Sequence, residues 1–331
     1  MKVVAALWFS IVLLLSTGCS SVEQQPTGWV EDEVSFVVDG LTIHGTYRHK
    51  PDGSPAPTAL LISESGPTDR NGDNAVVGPV GNMRQLAELL SDRGVASLRY
   101  DKVGTGKTGL GPYEQRRTDV VSATYTSGAK VAVRFLAEQP GTDKARISVY
   151  ALGEGTIHAM SLAADTTPGA PKIRSLGLFQ PLAGRYLDII TGRVRGEGNA
   201  EVLSAWLAAV DQVRTEGTVP PQLPEGLGAI LNPANVKAVV DADKIDPLVL
   251  AAKVPAGTPV LLTCSDSDAQ ANCEAEKPLI EALGHTELTV VELKGVNHVL
   301  RDDPSDDVAN FAKQGPLSPQ VVSALDGFVN K

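Results

Sequence analysis

Cysteine is scarce in this chain, with three in 331 residues. No histidine stands near Cys264 or Cys273 at ligand-like spacing, which argues against a metal site there. An excess of basic charge is also missing. The net charge of −10 speaks against non-specific nucleic-acid binding. No repeat of fixed period and no low-complexity tract occurs, so solenoid and fibrous architectures are set aside. The longest apolar run, residues 3–15, is too short to cross a bilayer as a permanent anchor. What remains is 42% hydrophobic and 21% charged residues, the profile of a soluble globular protein. The length suits one large α/β domain with an insertion, or two modest domains.

The first 32 residues read as a targeting segment. Lys2 precedes the apolar run, and Leu15-Ser16-Thr17-Gly18-Cys19 is similar to the bacterial lipobox. The expectation is a signal peptide over 1–18, a lipid on Cys19, and a flexible tether over 19–32 that carries the protein on the outer face of the cell membrane. The alternative is an ordinary cleaved signal with a chance cysteine. Export would place Cys264 and Cys273 in an oxidising compartment. A disulfide between them is then expected, two buried thiols being the alternative.

Beyond residue 33 the pattern alternates strands and helices. Val34, Phe36 and Val38 alternate with polar residues up to Asp39-Gly40, and Leu41 and Ile43 follow, which predicts a hairpin with a two-residue turn. Strands are predicted at 58–63, 95–100, 145–152, 173–179, 259–264 and 288–293, with helices at 83–94, 118–139 and 154–165. That rhythm implies a mostly parallel sheet with helices on both faces after an antiparallel start. About 80 residues between the strands at 173–179 and 259–264 are too many for one crossover. They read as an inserted helical cap, at about 183–250.

Two glycine-rich stretches suggest nucleotides and fail on spacing. In "DKVGTGKTG" (101–109) the first glycine of a phosphate loop would be Asp101. In "ALGEGT" (151–156) the third glycine of a dinucleotide fingerprint would be His158. No nucleotide and no other cofactor is expected. Asp268, after one strand, and His298, after the last, stand where an open α/β sheet gathers its site, in the chain order of the acid and base of a hydrolase triad.

Four motifs in order carry a specific resemblance. Ser65-Gly66-Pro67-Thr68-Asp69-Arg70-Asn71-Gly72 follows the third strand, and Leu98-Arg99-Tyr100-Asp101 with Gly104, Gly106, Lys107 and Thr108 follows the fourth. Arg146 to Thr156 covers a strand and a tight turn, and Asp268/Gln270 and Gly295/Asn297/His298 close the set. Residues 33–331 thereby resemble the α/β-hydrolase family, in particular its branch of serine esterases and acyl-transfer-like hydrolases. The resemblance implies an α/β-hydrolase fold and makes 146–156 the nucleophile elbow. It also implies that the 101–109 loop is a family element with no nucleotide role.

The elbow departs from the pattern. Its nucleophilic serine is Gly153, its first glycine is Ala151, and a later glycine is Thr156. A glycine keeps the strained backbone of an elbow without a Cβ clash, but it supplies no attacking atom. Asp268 and His298 are then a remnant acid and base. Ser65, Gly66 and the amide of Glu154 are expected around the oxyanion site. Two readings follow. One is a degenerate esterase that binds a small acyl or ester-type ligand with little or no catalysis. The other is an active carboxylic-ester hydrolase in which His298 activates water or a relocated nucleophile attacks. Gly153→Ser is expected to restore a serine within reach of His298.

Overall fold

The computed structural model describes residues 28–331. The expected signal peptide, Cys19 and most of the expected tether therefore lie outside the described residues. Eight strands form one sheet in the order β1-β2-β4-β3-β5-β6-β7-β8. They are β1 (Val30–Val38), β2 (Leu41–His49), β3 (Ala56–Ile62), β4 (Ala96–Tyr100), β5 (Thr142–Leu152), β6 (Ile173–Phe179), β7 (Pro259–Ser265) and β8 (Glu287–Leu293). β1 pairs antiparallel with β2, and β2 with β4; every later neighbour is parallel. At the hairpin Val38 faces Leu41, and Asp39 and Gly40 both take positive φ, which a two-residue turn of this hand requires.

The central strands read as near-continuous apolar runs because both of their faces are buried. In β3, Leu60 and Ile62 face one core while Ala59 and Leu61 face the other. The first core is closed by α2 (Ser122–Ala137) and α3 (Gly155–Ala163), the second by α1 (Asn82–Ser91) and the helix Pro319–Asp326. The segment 118–139 begins its α-helix only at Ser122; before it, Arg117–Asp119 makes a separate 3-10 turn that the apolar spacing does not distinguish.

The insertion between β6 and β7 holds α4 (Tyr186–Gly196), α5 (Ala200–Glu216), α6 (Leu227–Ile230), α7 (Val236–Asp243) and α8 (Pro247–Ala251). Trp206, Val210 and Val213 of α5 pack with Leu187, Ile190 and Val239 into a cap core of their own. Asp243 ties the cap inside, accepting from Arg185, Arg214 and the Leu187 N–H. α8 departs from the cap: its Ala251 joins the core beneath the sheet. Among the described residues no helix is long and apolar enough to cross a membrane.

Candidate active site

Loops at the carboxyl ends of β3, β5, β7 and β8 converge beneath the cap. β5 ends at Leu152, and Gly153 makes the turn into α3 with φ +54°, a conformation that glycine occupies freely. Its N–H is held by the Phe179 carbonyl at 3.1 Å. Gly155 is required for close packing, because a Cβ there would stand 2.8 Å from the Ile62 carbonyl oxygen. The elbow frame is intact.

Asp268 and His298 meet as a buried pair. The His298 Nδ1–H donates to Asp268 Oδ2 at 2.7 Å. The same oxygen accepts from Gln180 Nε2 at 2.8 Å, and Asp268 Oδ1 accepts the N–H groups of Gln270 and Ala271. The His298 backbone N–H donates to Asp306 Oδ1 at 2.8 Å. Acid and base are therefore fixed from several directions, and Asp268 is held below the usual carboxylate range: burial pushes it up, but the His298 bond and charge and the two N–H groups outweigh that.

The group on the other side of His298 is Glu64, on the loop leaving β3. Its Oε2 accepts from His298 Nε2 at 2.9 Å. Its Oε1 accepts from the Ser65 N–H at 2.6 Å and from the Glu154 N–H at 3.3 Å. A Cβ built on Gly153 would lie 1.4 Å from Glu64 Oε2 and 2.3 Å from Cδ. The carboxylate thus occupies the volume where a side chain at 153 would stand. It also takes up two backbone N–H groups of the expected oxyanion site.

Carboxylates on both ring nitrogens leave His298 no acceptor role, so the imidazole carries both protons. Burial works against that charge, but the hydrogen bonds and charges of Asp268 and Glu64 win and push His298 well above the usual histidine range. The reverse holds for Glu64. Burial would raise it, yet the bond and charge of His298 and the Ser65 N–H hold it well below an ordinary glutamate. The result is an ion pair where a serine hydrolase keeps a neutral base.

Several expected residues fall into place. Ser65 and Glu154 contribute N–H groups, while Gly66, with φ +65°, borders the cavity above them. Thr156 turns away, its hydroxyl donating to the Gly153 carbonyl. Asp101 anchors the motif loops: it accepts the Arg70 N–H and Nη2 and the Lys107 N–H, and a Cβ at Gly106 would collide with its carboxyl. Gly106 lets the loop wrap that carboxylate. Cys264 and Cys273 are joined in a disulfide beside the acid loop.

The expectation that Gly153→Ser alone completes a triad does not hold in this geometry, because Glu64 fills the place the hydroxyl needs. Glu64 is the residue that the sequence reading missed. No local pattern marks it: Ile62 pairs with Ala151, and only in that register do the parallel strands, two residues further on, present Glu64 beside Gly153.

Above this floor lies a cavity of about 420 Å³ between the sheet and the cap. Glu64, Glu154, Tyr125 and Ile157 line it from the body, and Tyr186 and Ile190 from the cap. At its edge Arg193 of α4 donates to Gln270 Oε1 at 2.9 Å, joining the cap to the acid loop.

Solved structures similar to this chain are esterases and hydrolases. An esterase of Pyrococcus furiosus is 18% identical, covers 91% of this chain and 91% of its own, and superposes with a TM-score of 0.54. Est1E from Butyrivibrio proteoclasticus, bound to ferulic acid, is 16% identical over 85% of this chain and 96% of its own, with a TM-score of 0.56. DcsB, in complex with a substrate analogue, is 15% identical over 91% and 98%, with a TM-score of 0.57. No protein-family model matches the chain, and no curated protein does. At these identities the likeness shows the fold: the chain has the α/β-hydrolase architecture, with its antiparallel start and helices around the sheet.

Proposed function

We propose that this protein is an exported, lipid-anchored relative of the serine esterases in which ester hydrolysis has been lost and the pocket beneath the cap is kept for binding a small ligand. The observation that carries the reading is Glu64. It stands in the nucleophile's volume, occupies two oxyanion N–H groups and keeps His298 protonated. Losing the serine of a triad costs on the order of a millionfold in turnover. Activation of water by His298 needs an unprotonated Nε2, which the ion pair removes. An acyl oxygen reaches the two N–H groups only by displacing Glu64. The Cys264–Cys273 disulfide supports an oxidising compartment, consistent with export.

The test is a panel of chromogenic esters together with a fluorophosphonate probe. Wild-type protein is expected to give no turnover above solvent and no covalent labelling. Ester turnover that disappears in His298→Ala would overturn the reading and restore the active-hydrolase alternative. Labelling of the outer membrane leaflet's lipoprotein fraction, lost in Cys19→Ala, tests the anchor separately.

A further inference from the structure

The carboxylate of Glu64 is more than an obstacle. It stands where a side chain at 153 would project, with Oε1 on the N–H groups of Ser65 and Glu154 and Oε2 on His298 Nε2. Burial opposes its charge, but the bond and charge of His298 and the Ser65 N–H keep it ionised. The side chain lines the cavity beneath the cap and stays 21% exposed. Tyr125 of α2 and Tyr186 of α4 line the same cavity. Burial and the charge of Glu154 raise both phenols, so each holds its proton. Neither hydroxyl makes a hydrogen bond among the described residues. Lys102 Nζ lies 5.9 Å from the Tyr125 ring centroid, which sets a cation against a ring that can become a phenolate.

A carboxylate cannot replace serine on an ester. Its attack on an acyl carbon gives an anhydride and must expel an alkoxide far more basic than itself, so the adduct reverts. On a saturated carbon whose leaving oxygen sits in a strained ring, the same attack gives a stable ester, and carboxylates do serve enzymes as nucleophiles. We propose that the site hydrolyses a small epoxide, with Glu64 as nucleophile, Tyr125 or Tyr186 as acid and His298 as base. Glu64 Oε2 forms the new bond to carbon, and the ring C–O pair passes to the epoxide oxygen, which takes a phenol proton. The phenolate recovers its proton from His298, whose Nε2–H no longer faces a carboxylate charge. Neutral His298 then takes a proton from water as the water oxygen adds to Glu64 Cδ. Negative charge develops on Oε1, where the N–H groups of Ser65 and Glu154 already point. The adduct expels the alkoxide on Oε2, which takes the proton of the new hydroxyl and leaves as a vicinal diol. Glu64 ends ionised and His298 protonated, as they began, and only epoxide and water are consumed. The inference rests on the reading that ester hydrolysis is lost and the pocket kept, and it makes the ligand a substrate. The cavity's size lies in the ordinary range for small ligands.

A single turnover of styrene oxide by excess wild-type protein, in water enriched in heavy oxygen, is the test. The label is expected in the Glu64 carboxylate, read by mass spectrometry of its peptide, and not in the diol. Direct attack of water on the epoxide gives the opposite labelling and would overturn the proposal. In steady state the diol should form at least about a hundredfold faster than without protein, and Glu64→Gln should return the rate to background. His298→Gln should still be alkylated but release diol slowly, so that Glu64 gains the mass of the epoxide. Tyr125→Phe combined with Tyr186→Phe should slow diol formation about tenfold or more, and an unchanged rate would overturn the assignment of the acid. No diol and no adduct would overturn the proposal and leave the pocket's ligand as a ligand only. Turnover of p-nitrophenyl acetate in a parallel assay would instead overturn the loss of ester hydrolysis, whatever the label shows for the epoxide.

Discussion

The two arms of the site meet at the 2.9 Å hydrogen bond between His298 and Glu64, and they differ in what they retain. On the acid–base arm, Asp268 satisfies both carboxyl oxygens and holds His298 at 2.7 Å, as a triad needs. On the other arm, the turn has a φ of +54° and close packing at Gly155, carries no side chain at 153, and has the carboxylate of Glu64, from the loop after β3, in the volume such a side chain would fill. The comparison gives the Asp268–His298 pair a structural role in this molecule. His298⁺ and Asp268 now neutralise and position Glu64. Removing either would leave a poorly solvated charge in the core.

The comparison breaks most sharply if the nucleophile arm is rebuilt. Gly153→Ser alone should fold at a cost of about 1–3 kcal/mol from a non-glycine residue at positive φ, and stay inert because its Cβ meets Glu64. Combined with Glu64→Ala, the serine has room, His298 loses the partner that keeps it charged, and the N–H groups of Ser65 and Glu154 are free for an oxyanion. The double variant should hydrolyse activated esters about a hundredfold or more above wild type and label with a fluorophosphonate. A silent, well-folded double variant would show that the acid–base arm has lost catalytic geometry too.

Next in size is damage to the retained arm. Asp268→Asn keeps the shape but presents an amide N–H to a donor, either His298 Nδ1 or Gln180 Nε2, and removes a buried counter-charge. A loss of about 3–5 kcal/mol in denaturant unfolding is expected. Glu276 sharpens the same point. Its carboxyl is fully buried without a partner among the described residues, and burial together with the charge of Asp268 pushes it up to about 9. Glu276→Gln should therefore be far milder than Asp268→Asn at neutral pH. Opening the disulfide through Cys264→Ala with Cys273→Ala closes no large loop and should cost about 2–3 kcal/mol.

How much of this was legible in the sequence follows the same division. The hairpin at Asp39-Gly40, the buried strands and the elbow could be read because each is written in a short stretch whose pattern has one physical solution. Asp268 and His298 could be placed because the carboxyl ends of parallel strands converge. The cap was visible as excess length, but its helices α4, α6 and α7 were not, since they bury their apolar faces on one another and on α5, not on the sheet. Glu64 was illegible for a different reason. Nothing local marks a glutamate before Ser65 as special; its role exists only when β3 and β5 lie side by side in the register that sets it against a glycine.

The smallest predicted effect tests that juxtaposition directly. Glu64→Gln keeps the volume and removes one charge, so His298 retains Asp268 and the fold should lose about 1–2 kcal/mol at neutral pH. The pH dependence gives the sign. His298 is raised in the folded state, so its contribution is complete below the unfolded histidine value and is lost as pH climbs through the raised one. Glu64 is lowered, so its contribution is complete above the unfolded glutamate value and is lost as pH falls through the lowered one. Wild type minus Glu64→Gln should therefore plateau between those two unfolded values, from mildly acidic to near-neutral pH, and shrink on both sides. Imidazole proton resonances should show His298 still protonated above neutral pH in wild type and titrating lower in Glu64→Gln. A wild-type His298 that titrates near its ordinary value would mean that Glu64 is not bound to the ring in solution, and that the base is free for catalysis.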